Sequence, residues 1–129
     1  MTRHVLKTYI VDSDIVIDGL RKIPGAADYF DSLGDWYYSA ATAMECFAGS
    51  KREILDIEET LEPYRRIALS AEIGESSLDL LRRYAKSDEM RAIDALAAAA
   101  AIAEGLTLST RNRKHFRNVK GLEIEVPGY

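Results

Sequence analysis

YIVDSDIVIDGL, residues 9–20, sets an apolar run directly against two acids. VLKTYIV, residues 5–11, is short, apolar and β-branched, and it stops at Asp12-Ser13-Asp14, the pattern of a buried strand with a polar end. Ser13 or Asp14 then caps a helix whose Ile15, Val16, Ile17 and Leu20 face inward, ending near Pro24-Gly25. A strand that turns straight into a helix starts an α/β chain. Two carboxylates in one turn repel each other, so the spot calls for a counter-charge.

The rest of the chain repeats the alternation. AADYFDSLG, residues 26–34, predicts a helix closed by Gly34, and WYYSA, 36–40, a strand. A helix begins with TAME, 42–45, and stops at Gly49. The apolar positions Ile54, Leu55, Ile57 and Leu61 suit an amphipathic helix over 52–62, which Pro63 interrupts. RRIALS, 65–70, reads as a strand, and Leu78, Leu80, Leu81 and Tyr84 mark a helix reaching Ser87. Residues 88–104 form a helix with five successive alanines, 97–101, closed by Gly105. Its slim surface lets the backbone approach a sheet or helix closely. LTLST, 106–110, and LEIEV, 122–126, are the last strands, the second at an edge. The expected fold is α/β, a three-layer sandwich with a mainly parallel central sheet, in one domain over residues 1–129.

Composition narrows the function. Nearly half of the 129 residues are hydrophobic (47%), enough for a core without staples. Seventeen Lys and Arg against 21 Asp and Glu leave a net charge of −4, so the overall field does not attract polyanions. Cys46 is alone, which excludes an intrachain disulfide and fits a reducing compartment and a buried core position. No apolar run approaches the roughly 20 residues that cross a bilayer, and the start MTRHVLKTYIV has no signal-peptide design, so a cytoplasmic location is expected. Acids crowd EILDIEETLE, 53–62. RNRKHFRNVK, 111–120, carries Arg111, Arg113, Lys114, Arg117 and Lys120 without an acid, and is either a phosphate-contacting strip or a solvated loop.

Ligands of an open parallel sheet bind beyond the carboxyl ends of its strands. Asp12 and Asp14 follow the first strand, Glu45 falls in the first turn after WYYSA, Asp94 lies near the start of the alanine helix, and Asn112 follows LTLST. All five can converge on one edge. Gathered carboxylates raise each other's pKa unless a cation balances them, and oxygen donors suit Mg²⁺ or Mn²⁺. With His4 and His115 the only histidines, zinc lacks ligands. Each residue also has a plain structural use. Asp12 and Asp14 can cap a helix, Thr42 and Glu45 can form a capping box, and Asn112 can serve a turn.

Three segments together, YIVDSDIVIDGLR (9–21), SAATAMECFAG (39–49) and DALAAAAAIAEGLTLSTRNRKHF (94–116), resemble the PIN domain ribonucleases, most closely the VapC-type toxins of toxin–antitoxin modules. The resemblance spans nearly the whole chain. It implies a Mg²⁺- or Mn²⁺-dependent endoribonuclease with an acidic cluster of Asp12, Glu45 and Asp94 and a weaker fourth position at Asn112. Asp14 assists through water, and Thr110 takes the place of a hydroxyl close to the metal. The family's fourth acid is missing, with Asn112 in one candidate place and His115 in another, which favours one ion over two. Asp88 is either an outer participant or a helix N-terminal charge. RNA such as tRNA, a small VapB-type antitoxin and a homodimer are the partners implied.

Asp12 and Asp94 would hold the ion, Glu45 would orient or deprotonate the attacking water, and Asn112 or Thr110 would bond a ligand water or a phosphate oxygen. Arg111, Arg113 and Lys114 would draw in the RNA backbone. Tyr29, Phe30, Trp36, Tyr37, Tyr38, Phe47 and Tyr84 can stack bases, although their spacing fits core or interface positions better. Surplus apolar residues on the helices after Ala26 and Arg52 suit dimer or antitoxin contacts. A strand ending in Asp-x-Asp also opens the haloacid-dehalogenase-like phosphatases, and a non-catalytic RNA- or partner-binding module is a further alternative.

Overall fold

In the computed structural model, which describes residues 7–129, strand β1 (Tyr9–Val11) occupies the middle of a five-stranded sheet. Its neighbours are β2 (Trp36–Ser39) on one side and β4 (Thr107–Ser109) on the other, with β3 (Arg65–Ile67) and β5 (Ile124–Glu125) at the edges. Every pairing is parallel. Parallel pairs need crossovers, and the helices between strands provide them on both faces. The result is the expected three-layer α/β sandwich, with the sheet wholly parallel and β5 at the edge, as its alternation suggested.

Pleating divides the core in two. Ile10 and Leu108 face a cluster with Ile73, Met90, Phe116 and Val119, whereas Val11 faces Ile15, Val16, Trp36, Cys46 and Ile57 on the other side. The first cluster lies under α5 (Ala71–Tyr84) and α6 (Ala92–Glu104). The second is covered by α1 (Ser13–Leu20), α2 (Ala26–Leu33), α3 (Ala40–Gly49) and α4 (Ile54–Leu61). Trp36 stacks on Tyr64 with ring centroids 3.7 Å apart and touches Phe30 and Tyr38, which makes these aromatics core residues rather than base platforms.

Helix α6 is the closest-fitting element. Its Ala97 to Ala101 are all buried, and it packs against α5, α3 and the sheet. Gly105 ends it in the left-handed conformation at φ +67°, as the alanine run followed by glycine led one to expect. Ala98, fully buried, leaves no room for a larger side chain. Ala98→Leu should therefore cost about 2 kcal/mol through overpacking, read as a lower midpoint in urea with an unchanged slope.

Several boundaries differ from the sequence expectations, each for a local reason. Of the three candidates Asp12, Ser13 and Asp14, it is Asp12 that caps α1, its Oδ1 accepting from the Ser13 N–H at 2.9 Å. Helix α1 also ends at Leu20, short of Pro24-Gly25. Helix α3 starts at Ala40 because the Ser39 hydroxyl caps it, leaving Thr42 buried inside the helix and Glu45 past its first turn. The Thr42–Glu45 capping box is thus absent. On α4 only Ile57 and Leu61 turn inward, while Ile54 and Leu55 stay exposed. β1 is shorter than 5–11: Lys7 and Thr8 lie outside it, and Val5, Leu6 and His4 lie outside the described residues.

The last long helix begins at Ala92 rather than Asp88. Asp88 is buried in the preceding loop, where both its oxygens accept from Asn118 Nδ2 (3.0 and 3.1 Å), so it is not a helix N-terminal charge. Within the basic stretch a short helix, α7 (Arg113–Phe116), turns His115 and Phe116 inward and leaves Arg113 and Lys114 outside.

Candidate active site

The carboxyl ends of β1 and β4 lie side by side, tied by the Asp12 N–H donating to the Ser109 carbonyl at 2.9 Å. That register brings Asp12 and Thr110 together although 98 residues separate them. The Thr110 hydroxyl donates to Asp12 Oδ2 at 2.8 Å and accepts from the Asn112 N–H at 3.1 Å, so Asn112 acts here through its backbone. Asp14 accepts from the Ile15 N–H through Oδ1 (2.8 Å) and from the Arg111 N–H through Oδ2 (3.0 Å), which fastens the loop after β4 to α1.

Asp12 is almost fully buried, at 1% exposure. Burial, then the charge of Asp14 and more weakly that of Asp94, push its carboxyl up to about 7, against the pull of the Thr110 and Ser13 bonds. Burial raises the Asp14 carboxyl as well, opposed by its bonds from Arg111 and Ile15. A buried acid whose neighbours are acids is short of positive charge.

Asp94, at 0% exposure, solves the same problem with side chains of its own. Its Oδ2 accepts from the Arg91 N–H (2.9 Å) and Nε (3.2 Å) and lies 2.8 Å from His115 Nδ1, while Oδ1 accepts from Arg91 Nη2 at 3.0 Å. Burial alone would raise the Asp94 carboxyl. The Arg91 and His115 bonds overcome it and hold the group below the ordinary carboxylate range. Glu45 is half-buried on α3, and its link to the others runs through charge: the Arg91 guanidinium is raised by Asp94, and further by Glu45 and Asp12. Cys46, next along α3, is buried as expected, its thiol pushed up to about 12 by burial and then by Glu45 and Asp12.

Asp12, Thr110 and Asn112 are therefore joined by hydrogen bonds, Asp14 is tied to the same loop through the Arg111 N–H, and Asp94 and Glu45 share the field of one guanidinium with Asp12. Among the described residues, no three His, Cys, Asp or Glu side chains stand at metal-binding spacing. In kind, the donor set fits a divalent cation: hard carboxylate oxygens, one of them in a buried acid that lacks a compensating charge. Within that set Asp94 already holds a cation, Arg91.

Sequence reasoning missed two groups here. Arg91 precedes Asp94 by three residues, a spacing that brings side chains together on a helix. The sequence offers His115 only as a substitute for a missing acid, whereas α7 buries it beside Phe116. Asp18 was missed too. It accepts from Arg111 Nη1 (2.8 Å) and the Tyr129 hydroxyl (2.7 Å), and the Arg111 guanidinium lies 5.6 Å from the centre of the Tyr129 ring. Tyr29 bonds Ser109 and Glu125 through its hydroxyl, which commits it to the fold.

The sequence matches the PIN domain family model over residues 9–122, so the chain belongs to the PIN domain family. Among solved structures, VapBC2 from Rickettsia felis, bound to a DNA fragment from their promoter, is similar at a TM-score of 0.78 with 23% identity, covering 93% of this chain and 98% of that one. A toxin–antitoxin complex from Klebsiella pneumoniae is similar at a TM-score of 0.73 with 27% identity, covering 88% and 94%. DNA-bound VapBC from Salmonella typhimurium is similar at 0.72 with 19% identity, covering 95% and 98%. No curated protein matches the sequence. Membership of the PIN domain family replaces the phosphatase alternative, and the family's chemistry is that of nucleases. Among the described residues, no helix is long and apolar enough to cross a membrane.

Proposed function

We propose that this chain is a Mg²⁺- or Mn²⁺-dependent endoribonuclease, the toxin of a VapBC-type pair. The observation that carries the reading is Asp12, buried without a positive partner among the described residues at the end of the central strand and raised to about 7 among other acids. The likeness to structures described as VapBC and toxin–antitoxin complexes supports the toxin role. Asp12 and Asp94 would hold the ion, with Glu45 the third carboxylate. When bound, a divalent ion acidifies a water and offsets charge developing on the phosphate oxygens.

The residues of the chain supply the remaining functions. Thr110 keeps the Asp12 carboxylate oriented, and its own hydroxyl is set by the Asn112 N–H. Glu45, half-buried and negatively charged, is the group available to orient the water or accept its proton. Asp14 keeps the loop carrying Thr110 and Asn112 against α1 through the Arg111 N–H. Arg113 and Lys114 are exposed on α7 and placed to contact phosphates, Lys114 pairing at the surface with Glu89 at 3.7 Å. Arg111 is engaged with Asp18 and Tyr129, so its part is to position the loop. Met44 and Phe47 on α3 and Ile54 and Leu55 on α4 are exposed apolar residues suited to a small antitoxin or a second copy of the chain.

Incubating the protein with tRNA and other RNAs in Mn²⁺, in EDTA, and as Asp12→Asn tests the reading. Cleavage confined to the wild type with Mn²⁺ is expected. Binding of RNA or of an antitoxin without cleavage in any divalent ion would point to a non-catalytic module instead. RNA binding should also weaken with added salt, and the double variant Arg113→Ala/Lys114→Ala should lower the slope of log affinity against log salt by about two, one for each lost phosphate contact. Arg111→Ala should leave that slope nearly unchanged.

A further inference from the structure

Arg91 stands at the N-cap of α6 in extended backbone, and its own N–H already donates to Asp94 Oδ2, closing the first turn. A positive side chain at the positive end of a helix dipole is unfavourable there. The guanidinium nevertheless grips both Asp94 oxygens, through Nε and Nη2, and Glu45 and Asp12 more weakly favour its charged form. One cation thus binds one of the three carboxylates assigned to the ion and feels the charge of the other two more weakly. With 51% of its side chain exposed, it can rotate outward without disturbing the core.

We infer that Arg91 is a resident competitor for the divalent cation, holding Asp94 in the metal-free protein and leaving it when an ion binds. The inference rests on the metal-dependent reading above. Among the described residues Asp94 Oδ1 has a single partner, Arg91 Nη2, whereas Oδ2 also receives His115 and the Arg91 N–H. Departure of the guanidinium frees Oδ1 for an ion while Oδ2 keeps two bonds that hold the carboxylate in place. A second positive charge at the same oxygen would be repelled, so the two occupants exclude each other. Arg91 thereby sets the affinity for the metal and offsets the charge of Asp94 before it arrives.

Titration of the full chain with MnCl₂ at pH 7.5, followed by calorimetry and by the rise in melting temperature, tests this. Arg91→Gln preserves the backbone bond to Asp94 and removes the charge. It should bind Mn²⁺ at least tenfold more tightly than the wild type, with a lower melting temperature in EDTA and a larger gain on adding Mn²⁺. Arg91→Lys, which keeps a charge but loses the two-pronged grip, should fall between them, and carries the comparison if the glutamine variant does not fold. Equal or weaker Mn²⁺ binding by these variants, with normal binding by the wild type, overturns the competitor role and leaves the metal reading standing. Absence of Mn²⁺ binding in all three proteins overturns both.

Discussion

Asp12→Asn is expected to lower RNA cleavage by about 10³-fold and, in the same protein without metal, to raise stability at pH 8. The loss of cleavage follows from removing an oxygen charge assigned to the ion, and corresponds to about 4 kcal/mol of transition-state stabilisation. The gain in stability follows from burial. Asparagine has the same shape, its amide can meet the Ser13 N–H and the Thr110 hydroxyl, and it carries no charge beside Asp14. The folded Asp12 carboxyl holds its proton up to about pH 7, whereas the unfolded one releases it near about pH 3.9. Between those values the folded chain binds more protons, so its stability is greatest at the acid end of that window and falls as pH rises through it.

Denaturant midpoints measured from pH 4 to 8 in EDTA should therefore decline in the wild type and decline much less in Asp12→Asn. Adding Mn²⁺ should restore the wild type above pH 7 and leave the variant unchanged. A wild type that grows steadily more stable across the same window would show that Asp12 is not an uncompensated buried acid.

Asp94→Ala is expected to be as damaging to cleavage and, unlike the change at Asp12, to weaken the fold. It strips the partner from buried His115, opens the bond to the Arg91 N–H at the start of α6 and frees the Arg91 guanidinium to solvent. An unpaired buried donor and a lost helix cap together cost about 3 kcal/mol, visible as a shift in the urea midpoint. Asp94→Asn, able to keep some of these bonds, should recover part of the stability and none of the cleavage. The pH dependence runs opposite to that of Asp12. The Asp94 carboxyl is held below its ordinary range when folded, so its contribution is present above its unfolded pKa and disappears as pH falls through the folded one. Opposite responses from two acids of one site distinguish a carboxylate that already has its cation from one that lacks it.

The architecture was legible because each element carried a simple pattern. The apolar run into Asp12, the alanines before Gly105 and the strand that follows them define β1, α6 and β4, and their order forces parallel pairing. The acids at strand ends were legible for the same reason. What escaped depended on choices between nearby groups. Ser39 and Thr42 both suit a helix cap, and Ser39 is selected because β2 ends there, moving Glu45 past the first turn. The basic segment looked like one strip, yet Arg111 turns back to Asp18 and Tyr129, a contact between residues 93 and 18 positions distant in sequence that no local pattern announces. Arg91 was hidden because its partner Asp94 had already been given a different role.

Soaking crystals of the wild-type protein in MnCl₂ and locating the ion by its anomalous scattering tests the site most directly. One peak bonded to the Asp12 and Asp94 carboxylates, with the Arg91 guanidinium moved off Asp94, is the expected result. A chain that cleaves RNA while its manganese lies elsewhere, with Arg91 still gripping Asp94, would contradict it.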